Sequence, residues 1–255
     1  MTVDEAPNVA RMWDYHQGGD RASPADRRLA DAVTTACPEL PEAARANRAF
    51  LGRVLQHLVA RGIRQFLDLG AGLPTARNTH QMVCGSRVVY VDTDPMAVLH
   101  NRIGVIGNPD VTVVQADLRD PELVLRHRDV RHYIDFARPV AVLALAVYHF
   151  VPDAEEPASG TASIYDHVAP GSYLAISHGS ADDSPDRVGR VADLYAAAGI
   201  PLRPRSRSEI AALFDRFALV GPGLVAARRW EPSAPPPATP RPAGWYAGLG
   251  RKTGP

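Results

Sequence analysis

Apolar and polar positions follow two rhythms along this chain, and the switch between them outlines a fold. From Pro41, Phe50, Leu51, Val54, Leu55 and Leu58 recur at helical spacing. Pro41 suits a first helical position and Gly62 a C-terminal stop. Short runs rich in Val, Leu and Ile follow at 64–69, 87–92, 111–116, 139–147 and 172–177. Their continuous apolarity predicts parallel strands buried on both faces, and the stretches between them are of helical length. Asn108-Pro109-Asp110 and Pro170-Gly171 punctuate the starts of two of these strands. The fold class expected is α/β: a Rossmann-like, mostly parallel sheet with helices on both faces.

The flanks are less regular. Residues 1–40 read as a polar, irregular arm. Ser184-Pro185 opens a helix that ends at Gly199. Ser206-Arg207-Ser208-Glu209 is a capping box ahead of Ile210, Leu213, Phe214 and Phe217 on one helical face. Six prolines between Pro232 and Pro242 rule out helix there and predict an extended surface loop. Trp245–Lys252 can form a last strand. The division expected is an N-terminal arm, 1–40, capping the active site, and one domain, 41–255, carrying the 232–242 loop.

Composition narrows the function classes. The chain has 255 residues, 45% of them hydrophobic, which is enough for a sizeable core. Its formal net charge is zero, which argues against a broad nucleic-acid surface and against an anionic-membrane partner. Cys37 and Cys84 form no C-x-x-C pair, so neither zinc nor a disulfide framework is expected. Met1–Arg11 lacks the pattern of a signal peptide, and no apolar run reaches the roughly 18–20 residues of a membrane span. A cytoplasmic protein without a metal is the expectation.

Four segments carry candidate chemistry. Phe66-Leu67-Asp68-Leu69-Gly70-Ala71-Gly72 is an apolar strand running into a carboxylate and a G-x-G turn. A dinucleotide fingerprint would place a third glycine at position 75, where this chain has Thr75. The run D-L-G-A-G resembles instead the first motif of S-adenosylmethionine-dependent methyltransferases. In such a site Gly70 and Gly72 let the backbone approach the ligand, and Asp68 accepts from the methionine ammonium. The helix N-terminus expected around Arg77 offers partial positive charge to the methionine carboxylate. Asp92 lies 22 residues beyond Gly70, close to the roughly 20 at which an acid meets the ribose. Thr93 stands beside it, and Asp94-Pro95 reads better as a helix cap. Asp117 can accept from the adenine amino group while the Leu118 N–H donates to a ring nitrogen. The strand over 139–147, with Ala146 near its tip, leads towards the sulfonium end.

Nearly the whole chain resembles the actinobacterial S-adenosyl methyltransferase family, formerly DUF574. The matching segments are Ala10–Tyr15 with Gly18-Gly19, Asp68–Thr75 with Asn78 and His80, Val88–Pro95, Arg138–Leu143, His149–Asp153, Pro170–His178, Pro222–Val225 and Tyr246–Lys252. The resemblance implies a class I fold with seven strands, the last antiparallel, and S-adenosylmethionine as cofactor. It leaves the small-molecule acceptor open. His16-Gln17 replace the aliphatic pair that family members tend to carry after the tyrosine.

The residues that could act on an acceptor are fewer. His149, after the fourth strand, is the first candidate base, and Tyr148 could position a substrate or simply pack. His178 is a second candidate, with loop positioning favoured. Tyr15 could face the sulfonium as a cation–π partner or pin the arm to the core. The run Arg203-Pro204-Arg205-Ser206-Arg207 reads as a solvated loop before a helix, with contact to an acidic substrate as the alternative. Three alternatives stay open: a non-catalytic cofactor-binding protein, other chemistry on the same cofactor such as ring closure, and a nicotinamide-dependent oxidoreductase.

Overall fold

The computed structural model describes residues 6–75, 77–239 and 241–254. The arm is not irregular: it holds two helices, α1 (Val9–His16) and α2 (Pro24–Ala36). Asn8 caps α1 through its side chain, and Ser23 forms a capping box with Asp26 at α2, with Pro24 in the first turn. These caps satisfy N–H groups that the short helices cannot satisfy internally. α3 (Leu40–Ala60) follows, and Gly62, at φ 82°, ends it as expected.

Strands and helices then alternate: β1 (Gln65–Leu69), α4 (Thr79–Met82), β2 (Arg87–Asp92), α5 (Pro95–Gly104), β3 (Val111–Gln115), α6 (Pro121–Arg126), α7 (Arg128–Tyr133), β4 (Ala141–Leu145), α8 (Pro157–His167), β5 (Tyr173–Gly179), α9 (Pro185–Ala197) and α10 (Arg207–Ala212). β6 (Ala218–Leu219), β7 (Val225–Ala226) and β8 (Trp245–Arg251) complete the chain. The sheet order is β3-β2-β1-β4-β5-β8-β6, with β7 also on β8. β1 to β5 pair in parallel, and β8 runs antiparallel to β5, β6 and β7. Among the described residues, eight strand segments stand where seven strands were expected. The edge facing β8 is broken at Gly221-Pro222-Gly223, where both glycines have positive φ, into the two-residue pieces β6 and β7.

Strand alternation divides the core into two layers. Leu67, Val89, Val142 and Ile176 pack with α6, α7 and α8 on one face, while Phe66, Val88, Leu143 and Ala175 pack with α3 on the other. A third cluster joins the arm to the body: Met12, Ala30 and Val33 meet Val191 and Tyr195 of α9. The sheet order reverses between β1 and β4. Ligands of open α/β sheets bind beyond the carboxyl ends of strands at such a switch point.

Candidate active site

The turn after β1 is fixed from two sides. Gly70 and Gly72 adopt left-handed φ values of 68° and 63°. A Cβ on Gly70 would lie 2.8 Å from Val147 Cβ, so the tip beyond β4 needs glycine there. Around Gly72 the same direction is open. The Gly70 and Ala71 N–H groups donate to Val91 O, and the Gly72 N–H donates to Asp92 Oδ2 at 2.7 Å. Asp92 Oδ1 takes the Asp94 N–H at 2.9 Å. Burial raises the Asp92 carboxyl above the ordinary range.

Asp68 accepts from Thr79 Oγ1 at 2.7 Å. Burial pushes its carboxyl up to about 6, against the pull of that hydrogen bond and of the Arg48 guanidinium. Asp94 is the expected cap: Oδ1 takes the Met96 N–H at 2.8 Å, and Oδ2 takes Asn8 Nδ2 at 2.9 Å. Thr93 is exposed beside them, its carbonyl accepting from Gln115. Against a burial that raises it, the Arg119 guanidinium holds Asp117 below the usual carboxylate range. The Leu118 N–H has no partner among the described residues. The helix expected near Arg77 is only the four-residue α4, beginning at Thr79; Leu73–Thr75 and Arg77-Asn78 stand outside any helix.

The tips of β4 and β5 are braced together. Ala146 holds a left-handed φ of 56°, which is costly for a residue with a Cβ. Its N–H donates to Ser177 O (3.1 Å) and Ser177 Oγ (3.0 Å), and the Ser177 hydroxyl donates to Asn47 Oδ1 of α3 at 2.5 Å. Arg205 is only 3% exposed. It donates to Tyr148 O (2.8 Å), Val151 O (2.9 Å), Asp153 Oδ1 (2.7 Å) and His178 Nε2 (3.1 Å). Within the basic loop Arg205 is the exception to solvation: it is a buried clamp on residues 148–153, and a buried guanidinium requires such a full set of acceptors. His178 is spent in this clamp, with Nδ1 donating to Gly179 O at 2.6 Å, and burial lowers it to about 4.

His149 is 3% exposed. Its Nδ1 takes a long hydrogen bond from the Gly179 N–H, 3.4 Å, which places the neutral ring's proton on Nε2. Burial, followed by the charges of His178 and Arg205, holds its protonation well below the ordinary range. His149 packs against Trp245 (5.2 Å between centroids) and Phe150 (4.4 Å). Trp13 of α1 stacks on Trp245 at 5.3 Å. The Tyr15 hydroxyl points the other way, donating to Asp31 of α2 at 3.1 Å. Trp13 rather than Tyr15 is therefore the arm ring facing this cluster. His80, also in the sequence motifs, is held by the Tyr90 hydroxyl at 2.9 Å.

A cavity of about 740 Å³ lies beyond the tips of β5 and β8, with Trp13, His149, Gly179, Tyr195 and Trp245 among its lining. The proline-rich segment and α9 supply other walls through Pro235, Pro237 and Val191. The glycine turn, Asp92 and Asp117 lie outside it, so the two regions are adjacent, with the 146–150 segment between them.

A family model described as S-adenosyl methyltransferase matches residues 2–253. The chain belongs to that family. It is similar to a DUF574 family protein of Streptomyces avermitilis: 37% identity, 98% of each chain covered, TM-score 0.89. It is equally similar to a Thermobifida fusca protein provisionally assigned as a methyltransferase: 37% identity over 98% and 96% of the two chains, TM-score 0.88. Magnesium protoporphyrin IX methyltransferase from Synechocystis shares the fold at 13% identity, with 95% and 93% coverage and a TM-score of 0.57. No protein of curated function matches. S-Adenosyl methyltransferases take their methyl group from S-adenosylmethionine, so the family favours that donor over a dinucleotide. Among the described residues, no helix is long and apolar enough to cross a membrane.

Proposed function

We propose that this S-adenosyl methyltransferase, acting in the cytoplasm, methylates a small molecule held in the cavity beyond β5 and β8. Its cofactor would lie across the tips of β1 to β4. The carrying observation is the Gly72 N–H to Asp92 hydrogen bond of 2.7 Å, which holds glycine turn and acid together beside the switch point.

Bound S-adenosylmethionine supplies an electrophilic methyl group on a sulfonium. The chain's residues fit it in sequence along the strand tips. Asp68 would accept from the ammonium, and an arriving cation favours the ionised carboxylate that burial opposes. Gly70 and Gly72 would bring the backbone close, into the open space beside Gly72. Asp92, flanked by Thr93, keeps two of its roughly four acceptor sites for ribose hydroxyls. Asp117 would accept from the adenine amino group and Leu118 would donate to the ring. Ala146 would border the sulfonium end.

On the acceptor side His149 would align substrate by donation, because its neutral ring is a weak base. Tyr15 would hold the arm through Asp31 rather than touch the reacting atoms. Residues 1–40 then form a cap on the 41–255 domain. Three contacts support that role: Asn8 to Asp94 (2.9 Å), Arg21 to Pro74 O (2.7 Å) and Trp13 to Trp245.

Calorimetric titration with S-adenosylhomocysteine tests the cofactor site. Saturable binding is expected, weakened by roughly 1.5–3 kcal/mol in Asp92→Ala. No binding would sink the proposal, and unchanged affinity in the variant would remove Asp92 from the ribose contact.

A further inference from the structure

The inner end of the cavity has a chemistry that narrows the acceptor. Trp13, His149, Phe150, Tyr195 and Trp245 form one chain of ring contacts, none longer than the 5.9 Å between Phe150 and Tyr195. Flat aromatic faces and edges favour a flat partner. The carboxylates that line the cavity are Glu39, Glu42 and Asp183, and all three are exposed at its rim. Glu39 is paired with Arg187, and Glu42 lies 3.8 Å from Arg228. No desolvated carboxylate therefore waits to hold a cation at the aromatic end. The buried charge nearest His149 is the Arg205 guanidinium, which acts against positive charge there.

Ring donors at that end lack a partner among the described residues, Trp245 Nε1 in full burial and His149 Nε2 among them. His149 is almost fully buried and lines the cavity, its Nδ1 takes the Gly179 N–H, and its Nε2 has no partner among the described residues. That nitrogen keeps access to the cavity, so an acceptor on a bound molecule can take the place of water there.

We infer that the cavity takes a flat, uncharged aromatic or heteroaromatic molecule that presents a carbonyl or ring-nitrogen acceptor to His149 Nε2–H. The inference rests on the methyltransferase reading and gives its acceptor a chemical class. Rings in contact with Trp13 and Trp245 recognise the plane, and His149 fixes its rotation within that plane. With no strong base on this side, the methyl-accepting atom carries a free lone pair at neutral pH. A volume of about 740 Å³ is in the range of small-molecule sites.

The test is a tryptophan-fluorescence titration of protein saturated with S-adenosylhomocysteine, using acridone, N-methylacridinium and naphthalene as probes. Acridone should quench saturably and bind more tightly than N-methylacridinium. His149→Phe should weaken acridone about tenfold, the scale of one hydrogen bond to a buried donor. That variant should leave naphthalene unchanged, and His149→Gln, which keeps a donor, should largely restore acridone. Equal or tighter binding of the cation, an unchanged acridone affinity in His149→Phe, or no saturable binding of acridone would overturn the inference. If His149→Phe does not fold, His149→Gln and the ranking of the three probes on the wild type still decide it. Loss of S-adenosylhomocysteine binding itself, read separately by calorimetry, would instead count against the cofactor site.

Discussion

Replacing Asp68 with Asn should make the empty protein more stable and its cofactor site worse. In the wild type, burial raises this carboxyl from 3.8 to about 6. A rise of that size corresponds to roughly 3 kcal/mol between the two protonation states. Asp68 is only half-buried, so solvent screens part of the penalty, and the attraction to Arg48 is lost on substitution. A net gain of about 1–2 kcal/mol is the reasonable expectation, or roughly 2–8 °C in Tm for a chain of this size.

The sign follows from linkage. The folded-state value lies above the unfolded one, so the ionised carboxylate destabilises the fold above about 6, and that penalty fades as pH falls towards 3.8. The advantage of Asp68→Asn should therefore be largest at about pH 8 and small at about pH 4. Urea or thermal unfolding at the two pH values reads it directly. Asn can still accept from Thr79 Oγ1, so that hydrogen bond is kept. S-Adenosylhomocysteine affinity should fall about tenfold or more at neutral pH, the scale of a lost charge-assisted hydrogen bond. A variant that is less stable than the wild type at high pH, or equally shifted at both, would refute the reasoning.

Three further substitutions probe the frame around the site. Gly70→Ala combines a φ of 68° with an overlap against Val147 and should cost about 2–4 kcal/mol in urea unfolding. Arg205→Met removes the clamp on residues 148–153, leaving the Tyr148 and Val151 carbonyls short of a donor. It should cost about 3 kcal/mol and speed amide exchange across that segment. Ser177→Ala should cost about 1–2 kcal/mol and weaken S-adenosylhomocysteine binding, because Ala146 loses the hydroxyl that joins it to Asn47.

Much of this fold was legible because its strands are buried on both faces. Val88–Val91 and Ala141–Leu145 are continuous apolar runs, and the expected strand limits fall within two residues of those seen, the run at 139–147 included. Asp94 as a cap, with Asp92 left at the strand tip, could be read because Pro95 marks a first helical turn. The arm was less legible. α1 is only eight residues long, and it packs through a short apolar face around Met12 together with the ion pair of Arg11 with Asp26. Ser23-Pro24 with Asp26 is a capping signal that the expectation of an irregular arm left unused.

The clamp was hidden for a different reason. Arg205 sits in a run of arginines, and only tertiary structure distinguishes the buried one, which finds four acceptors, from its half-buried neighbours. The Asn47–Ser177–Ala146 connection joins residues far apart in the chain, and no local pattern encodes it. Trp13 was visible in the arm, but its partner Trp245 lies beyond the proline-rich segment.

The measurement that bears most directly on the central claim is a crystal structure of the protein with S-adenosylhomocysteine. The adenine should meet the Leu118 N–H, the ribose should meet Asp92, and the amino group should meet Asp68. The sulfur should then face past Ala146 towards His149 and the aromatic cavity. A ligand bound elsewhere, or one whose sulfur is turned away from that cavity, would contradict the assignment of cofactor site and acceptor site to opposite sides of the β4 tip.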